Sequence, residues 1–308
     1  MPLRIGTRDS ALARWQAEWV AAQLAARSVE VELVPIHTSG DADQQGPIGQ
    51  IGSQGVFTSE LQRALLERRI DLAVHSLKDL PTDPVEGLAL GAVPARAPVA
   101  DALLAASGVE LDDLPGGAVV GTGSLRRRAQ LLHARRDLEV RDIRGNVDTR
   151  LRKLDQSEYD AIVLAEAGLV RLGLAERITQ RLPAEVMLSA VGQGALGLEL
   201  RIDDAATIET VRPLDHPPTH AAVIAERALL AALQGGCLAP IAAHARQSAG
   251  QLKLDARVIH PQGSQRLDAS ETGPLDDPVG VGRRAADSLL QQGAARLIAA
   301  ARGDQSGR

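Results

Sequence analysis

The chain has 308 residues, 44% of them hydrophobic and 24% charged, with a formal net charge of −5; this is the balance of a soluble globular protein with room for two or three domains. Its one cysteine excludes an intramolecular disulfide and a Cys-rich zinc site, net acidity disfavours general nucleic-acid binding, and no apolar run approaches a membrane span. Trp15, Trp19, Phe57 and Tyr159 are the whole aromatic set, so the core must be built from Leu, Val, Ile and Ala.

The opening MPLRIGTRDS lacks the apolar segment of a secretory signal, and a cytoplasmic location is the expectation. LRIGT (3–7) predicts a strand. Leu12, Trp15, Trp19 and Val20 then recur at helical spacing behind an N-cap at Asp9 or Ser10. VEVELVPIH (29–37) alternates like a strand, and the Gly-, Asp- and Gln-rich stretch 39–55 reads as a long loop. Ser59 with Gln62 fits a capping box opening a helix through Glu67. DLAVHS (71–76) is the next strand and runs straight into LKDLP.

A second strand–helix series follows. AVVGT (118–122) feeds a helix starting near Ser124, LEVRDI (138–143) one near Val147, and DAIVLA (160–165) a third. Strands alternating with helices predict mostly parallel sheets covered on both faces. Segments near 95–100 and 190–200 read as crossings between domains. A helix over roughly 219–234 ends at Gly235-Gly236, two strands flank Gly250, and an Ala/Leu-rich helix covers about 281–301.

Polar groups at the carboxyl ends of these strands are the candidate ligand contacts: Arg8 and Ser10; His75, Ser76, Lys78 and Asp79; Thr122 and Ser124; Arg144 and, one turn further, Arg150. Residues 126–152 hold nine arginines against four acids. GTGSLRR combines small residues, a helix start and two arginines just inside it, which suits an anion. A solvated basic face is the simpler alternative, weakened because IRGNVDTR repeats the arrangement after the next strand. No P-loop and no GxGxxG occurs, so a nucleotide is not the favoured anion. Asp79 either caps the turn before Pro81 or serves as an ionised carboxylate that stabilises a cation; His75 reads as a structural strand-end residue. The seven histidines show no metal-ligand spacing. Cys237, in LQGGCLAP, is either an apolar filler or a working sulfur.

RIGTRDSALARWQA, AVHSLKDLPT, GTGSLRRRAQL, IRGNVDTRL, LAEAGLVRLGL, AVGQGALGLELR and ERALLAALQGGCLAPIAA together resemble the porphobilinogen deaminase (hydroxymethylbilane synthase) family in order and spacing. The resemblance implies an α/β protein of three domains: two periplasmic-binding-protein-like (type II) lobes and a smaller α+β C-terminal domain. The expected bounds are 1–95 with 195–212, 100–190, and 217–308. It also implies stepwise head-to-tail condensation of four porphobilinogen molecules to hydroxymethylbilane with loss of ammonia, in tetrapyrrole (haem) biosynthesis. One covalent dipyrromethane per chain primes the reaction, on a thioether at Cys237 in a loop facing the cleft.

Matched residue by residue, Asp79 is the implied catalytic carboxylate. Ser76, Lys78, Asp79, Thr122, Ser124, Arg126, Arg127 and Arg144 are implied cofactor contacts, and Arg8, Ser10, Arg144, Arg150, Arg171 and Gln193 implied substrate contacts. No metal is implied, nor any nucleic-acid or membrane partner, and the chain is expected to act as a monomer. Gln54 and Ser59 stand where the family often has lysine, Asp148 where a small residue is common, and Ser189 where proline is frequent; Phe57 is retained. The competing reading is a non-catalytic cytoplasmic anion-binding protein on the same two-lobed fold, because fold alone does not assign function.

Overall fold

The computed structural model describes residues 1–36, 58–234 and 239–303. Contacts divide the chain into two compact units, 1–97 with 194–220 and 98–193 with 221–308. The crossings therefore fall at 97/98 and 193/194, inside both segments read as crossings.

In the first unit, β1 (Leu3–Thr7), β2 (Val31–Pro35), β3 (Leu72–Ser76), β4 (Leu88–Ala92) and β10 (Leu196–Arg201) form one sheet in the order β2-β1-β3-β10-β4. β2, β1 and β3 are parallel, and β10 runs antiparallel to both of its neighbours. Most of the 190–200 segment read as a crossing is thus a central strand, buried at every residue from Leu196 to Arg201. Helix α1 (Ala11–Ala25) packs Ala17, Val20 and Leu24 with Ile5, Leu72 and Leu198, and α2 (Ser59–Leu66) packs Leu61 and Leu65 with Ile70 and Ala73. Burying such side chains contributes about 1.5–3 kcal/mol each, which is why the sheet needs apolar cover on both faces. Ser10 caps α1 as expected, its Oγ accepting from Ala13 N at 3.3 Å. The capping box at Ser59 does not form: Thr58 is the N-cap, and the Ser59 hydroxyl donates instead to Glu60.

The second unit holds two sheets. β5 (Asp101–Ala105), β6 (Val119–Gly121), β7 (Glu139–Arg141), β8 (Ala161–Ala165) and β9 (Gln180–Leu182) run in the order β7-β6-β8-β5-β9. Again three strands are parallel and the fourth is antiparallel. Helices α3 (Leu125–Ala134), α4 (Val147–Asp155) and α5 (Glu166–Arg171) follow β6, β7 and β8 in turn. The smaller sheet is the antiparallel meander β11 (Ile241–Ser248), β12 (Gln251–Ile259) and β13 (Arg266–Gly273). Its apolar face packs with residues of α7 (Pro217–Ala232), α8 (Pro278–Gln291) and α9 (Ala294–Gly303). The single C-terminal helix expected over 281–301 is two helices, broken at Gly293, where φ is +97°. A shorter helix, α6 (Ala205–Val211), follows β10 in the first unit. No helix among the described residues is long and apolar enough to cross a membrane.

Candidate functional site

β1 and β3 are parallel neighbours, with Ile5 beside Leu72 and Gly6 beside Ala73, so the residues leaving their carboxyl ends gather at one sheet edge. Arg8 and Ser10 come from the first strand; Ser76, Lys78 and Asp79 come from the second, where a single 3-10 turn (Leu77–Asp79) follows directly. Ser10 is engaged as the α1 cap. Ser76 is held by Gln16 of α1, a buried amide whose Nε2 donates to Oγ at 2.8 Å and whose Oε1 accepts from it at 3.2 Å. Asp79 is exposed, and its side chain makes no hydrogen bond among the described residues. The turn-cap role is therefore not filled by this carboxylate. His75 is buried, with Nε2 2.9 Å from Oε2 of the equally buried Glu199, and takes the structural place expected of it.

The second unit repeats the plan with the opposite charge. β6 lies between β7 and β8, all parallel, which brings the segments after their carboxyl ends to a common edge: Thr122, Ser124 and the start of α3; Arg144 and α4; Arg171 at the end of α5. Thr122 is buried, and its Oγ1 accepts from Ser124 N at 3.2 Å. Asn146 caps α4, accepting from Thr149 N, and Arg150 Nε donates to Gly145 O at 2.8 Å. Asp148 is exposed in the first turn of α4, where the helix dipole favours an acid.

Arg126 and Arg127 are only 5% and 6% exposed and share the fully buried Asp101, at 2.7 Å from Arg126 Nη1 to Oδ2 and 2.7 Å from Arg127 Nη2 to Oδ1. Arg126 also donates to Leu188 O, and Arg127 to Val163 O. Gln193 Nε2 reaches the same Asp101 at 3.0 Å and Val99 O at 2.7 Å. Burial alone would raise the Asp101 carboxyl, but the two guanidinium charges and their hydrogen bonds outweigh it and hold Asp101 well below the usual carboxylate range. Burial also lowers Arg171, to about 10; it stays cationic at neutral pH.

Several of these groups escaped local pattern. Asp101 opens the short apolar strand DALLA, and its partners lie 25 and 26 residues further on. Gln16, Gln62 and Glu199 are polar positions inside apolar elements, the only local hint that they brace something. Glu226, fully buried on α7, accepts from Gly192 N and Ala245 N, both at 2.7 Å, and so ties the 190–193 turn to β11. Ser189, in place of the frequent proline, exchanges hydrogen bonds with Ala243 of that strand. Cys237, the Gly235-Gly236 stop, Gln54, Phe57 and the 39–55 loop lie outside the described residues.

Residues 3–209 match the family described as porphobilinogen deaminase, dipyromethane cofactor binding domain, and residues 220–291 match the porphobilinogen deaminase C-terminal domain. The chain is 51% identical over 300 residues to a porphobilinogen deaminase of Desulforudis audaxviator, covering 97% of each. It is 47% identical to that of Geobacter sulfurreducens, covering 96% of this chain and 94% of the relative. Among solved structures, the methionine binding protein MetQ aligns with 69% of this chain and 89% of its own, at a TM-score of 0.43 and 14% identity.

Proposed function

The chain belongs to the porphobilinogen deaminase family, and on that premise we propose which of its residues carry the reaction. The activity is that of a transferase acting on porphobilinogen, with a dipyrromethane cofactor, in tetrapyrrole synthesis. Membership in an enzyme family leaves the non-catalytic anion-binding reading without support.

Asp79 is the catalytic carboxylate. Loss of ammonia from the aminomethyl group of porphobilinogen leaves an electron-poor cation. An ionised acid at that point stabilises the charge as it develops and takes part in moving protons at the reacting centre. One observation carries this assignment: Asp79 is an exposed carboxylate at the carboxyl end of β3, without a side-chain hydrogen bond among the described residues. It is therefore available for chemistry instead of being committed to the turn.

The dipyrromethane brings two pyrroles with acidic side chains, and the donor set at the second sheet edge fits such a group. Arg144, Arg150 and Arg171 supply cations near that edge, and Arg126 and Arg127, paired with Asp101, add two charges against its one. When bound, the cofactor supplies the pyrrole carbon on which the chain is built. Cys237 is its covalent anchor; Ser76, Lys78, Asp79, Thr122, Ser124, Arg126, Arg127 and Arg144 hold it. Arg8, Ser10, Arg144, Arg150, Arg171 and Gln193 receive substrate carboxylates. The three sheets correspond to three domains, 1–95 with 195–212, 100–190 and 217–308. The protein acts as a cytoplasmic monomer without nucleic-acid or membrane partners.

The test is the conversion of porphobilinogen by the cofactor-bearing protein, followed by ammonia release. Asp79→Asn, which keeps the side chain's shape and removes its charge, lowers kcat by about 10²–10³ and leaves the melting temperature in place. Near-normal turnover would remove Asp79 from the chemistry.

A further inference from the structure

The Asp79 turn follows β3 directly. It is one 3-10 turn, its N-cap Ser76 makes no capping hydrogen bond, and its last residue is exposed. Gln16 of α1 holds Ser76, and one further element meets both Leu77 and His75. That element is β10, the strand on which the chain re-enters the first unit.

β10 runs antiparallel to β3, with Leu196 opposite Ser76 and Gly197 opposite His75. Just before the strand, Ala195 O accepts from Leu77 N at 3.1 Å, which ties the first residue of the turn. Two residues on, Gly197 leaves room for the Leu77 side chain: a Cβ there would stand 2.6 Å from Leu77 Cδ1 and 3.0 Å from Leu90 Cδ1. Leu77 is 1% exposed, so it has no open space to retreat into. After a further two residues, Glu199 receives His75 Nε2 at 2.9 Å on one oxygen and Gln62 Nε2 at 2.9 Å on the other.

We infer that Gly197 and Glu199 are positioning residues for the reaction, aiming the Asp79 carboxylate through Leu77 and His75. This rests on the reading of Asp79 as the catalytic acid. Gly197 and Glu199 are two residues apart, the period of a strand, so one face of β10 meets both Leu77 and His75, while the Ala195 carbonyl just before the strand holds the Leu77 backbone. Gln16, which grips Ser76 from α1, completes the frame on the other side. A buried carboxylate held by two donors keeps His75 in one rotamer, and a displacement of the order of 1 Å at a reacting group is enough to slow catalysis strongly.

Steady-state kinetics of the cofactor-bearing protein, corrected for active fraction by intact mass, tests the inference. Glu199→Gln is isosteric but can no longer accept from both neighbours, and Gly197→Ala drives a methyl into Leu77. Each lowers kcat about tenfold with KM within about twofold, as expected for a misplaced group and not a lost binding contact. Gly197→Ala/Leu77→Val removes the closer contact, to Leu77 Cδ1, and leaves only the 3.0 Å approach to Leu90 Cδ1; kcat returns to within about threefold of the parent although the protein stays less stable. Leu200→Ala, a core truncation on the same strand, costs stability and leaves kcat per folded molecule unchanged.

If Gly197→Ala does not fold, Glu199→Gln and Leu200→Ala carry the same decision. An unchanged kcat in Glu199→Gln, or an equal fall of kcat in Leu200→Ala, overturns the inference. Asp79→Asn is measured alongside: if it is fully active, the assignment of Asp79 fails, whereas an inactive Asp79→Asn beside an unaffected Glu199→Gln sinks the positioning role alone.

Discussion

The two five-stranded sheets share one strand order, and in each the antiparallel fourth strand carries a buried acid: Glu199 on β10 and Asp101 on β5. The two acids do different work. Glu199 braces an imidazole and an amide behind a turn whose one carboxylate stays at the surface. Asp101 instead sits against two buried guanidinium groups and offsets part of their charge. On the proposed reading, the first lobe uses its buried acid for geometry and leaves the carboxylate of Asp79 without a side-chain hydrogen bond among the described residues. The second uses its acid to keep cations inside at all. It follows that the same kind of substitution is read in different measurements, as rate in the first lobe and as stability in the second.

The sharpest way to break this contrast is Asp101→Leu, which leaves Arg126 and Arg127 buried without their shared partner. Removing one side of such a cluster costs about 3–5 kcal/mol, read as a shift of the urea midpoint; a cost below about 1 kcal/mol would mean that the arginines need no counter-ion. The pH dependence follows from the depressed carboxyl. The folded state releases the Asp101 proton at lower pH than the unfolded chain, whose ordinary value is 3.8. The stabilisation is therefore complete above that value and is lost as pH falls below it, at up to about 1.4 kcal/mol per pH unit. Asp101→Asn flattens this acid limb and, by removing the same charge, lowers stability at pH 6 to 8 without adding a pH slope there. By contrast, Asp79→Asn in the first lobe moves rate and not the denaturation curve.

Gly263→Ala probes the rigidity of the second unit. A Cβ at Gly263, where φ is +71°, would stand 2.5 Å from the backbone of Leu132 and His133 in α3, the helix that bears Arg126 and Arg127. His133 Nδ1 also lies 2.9 Å from Gly263 O. Strained backbone and a displaced contact together cost about 1–3 kcal/mol, with a rise in KM if α3 moves. The smallest effect is expected from Ser10→Ala, which removes the α1 cap for about 1 kcal/mol and raises KM if Ser10 also meets substrate.

The parallel halves of both sheets were legible because each strand is a short apolar run that ends in a recognisable helix start. LRIGT into Ser10 and LEVRDI into Asn146 are examples where a capping side chain does what its position suggests. What stayed hidden depended on distant partners. β13 alternates polar residues on an exposed edge and has no local apolar signature. β10 was obscured by the glycines around it, and Gly197 makes sense only beside Leu77. At Ser59 the right residue types stood at the right spacing, yet the helix starts one residue earlier than the box requires. The arginine-rich edge could be seen as a cluster of charge, but its split into arginines paired with Asp101 and arginines at helix ends is a property of the fold. Asp79 was visible as an acid at a strand end; that it is exposed and uncommitted was not.

The central claim is a covalent dipyrromethane on Cys237, and the intact mass of the denatured protein, produced in cells with ample porphobilinogen, tests it most directly. The predicted result is a single covalent addition equal to two linked pyrroles, present in the parent chain and absent from Cys237→Ser. An unmodified parent chain, or the same addition on Cys237→Ser, would contradict it.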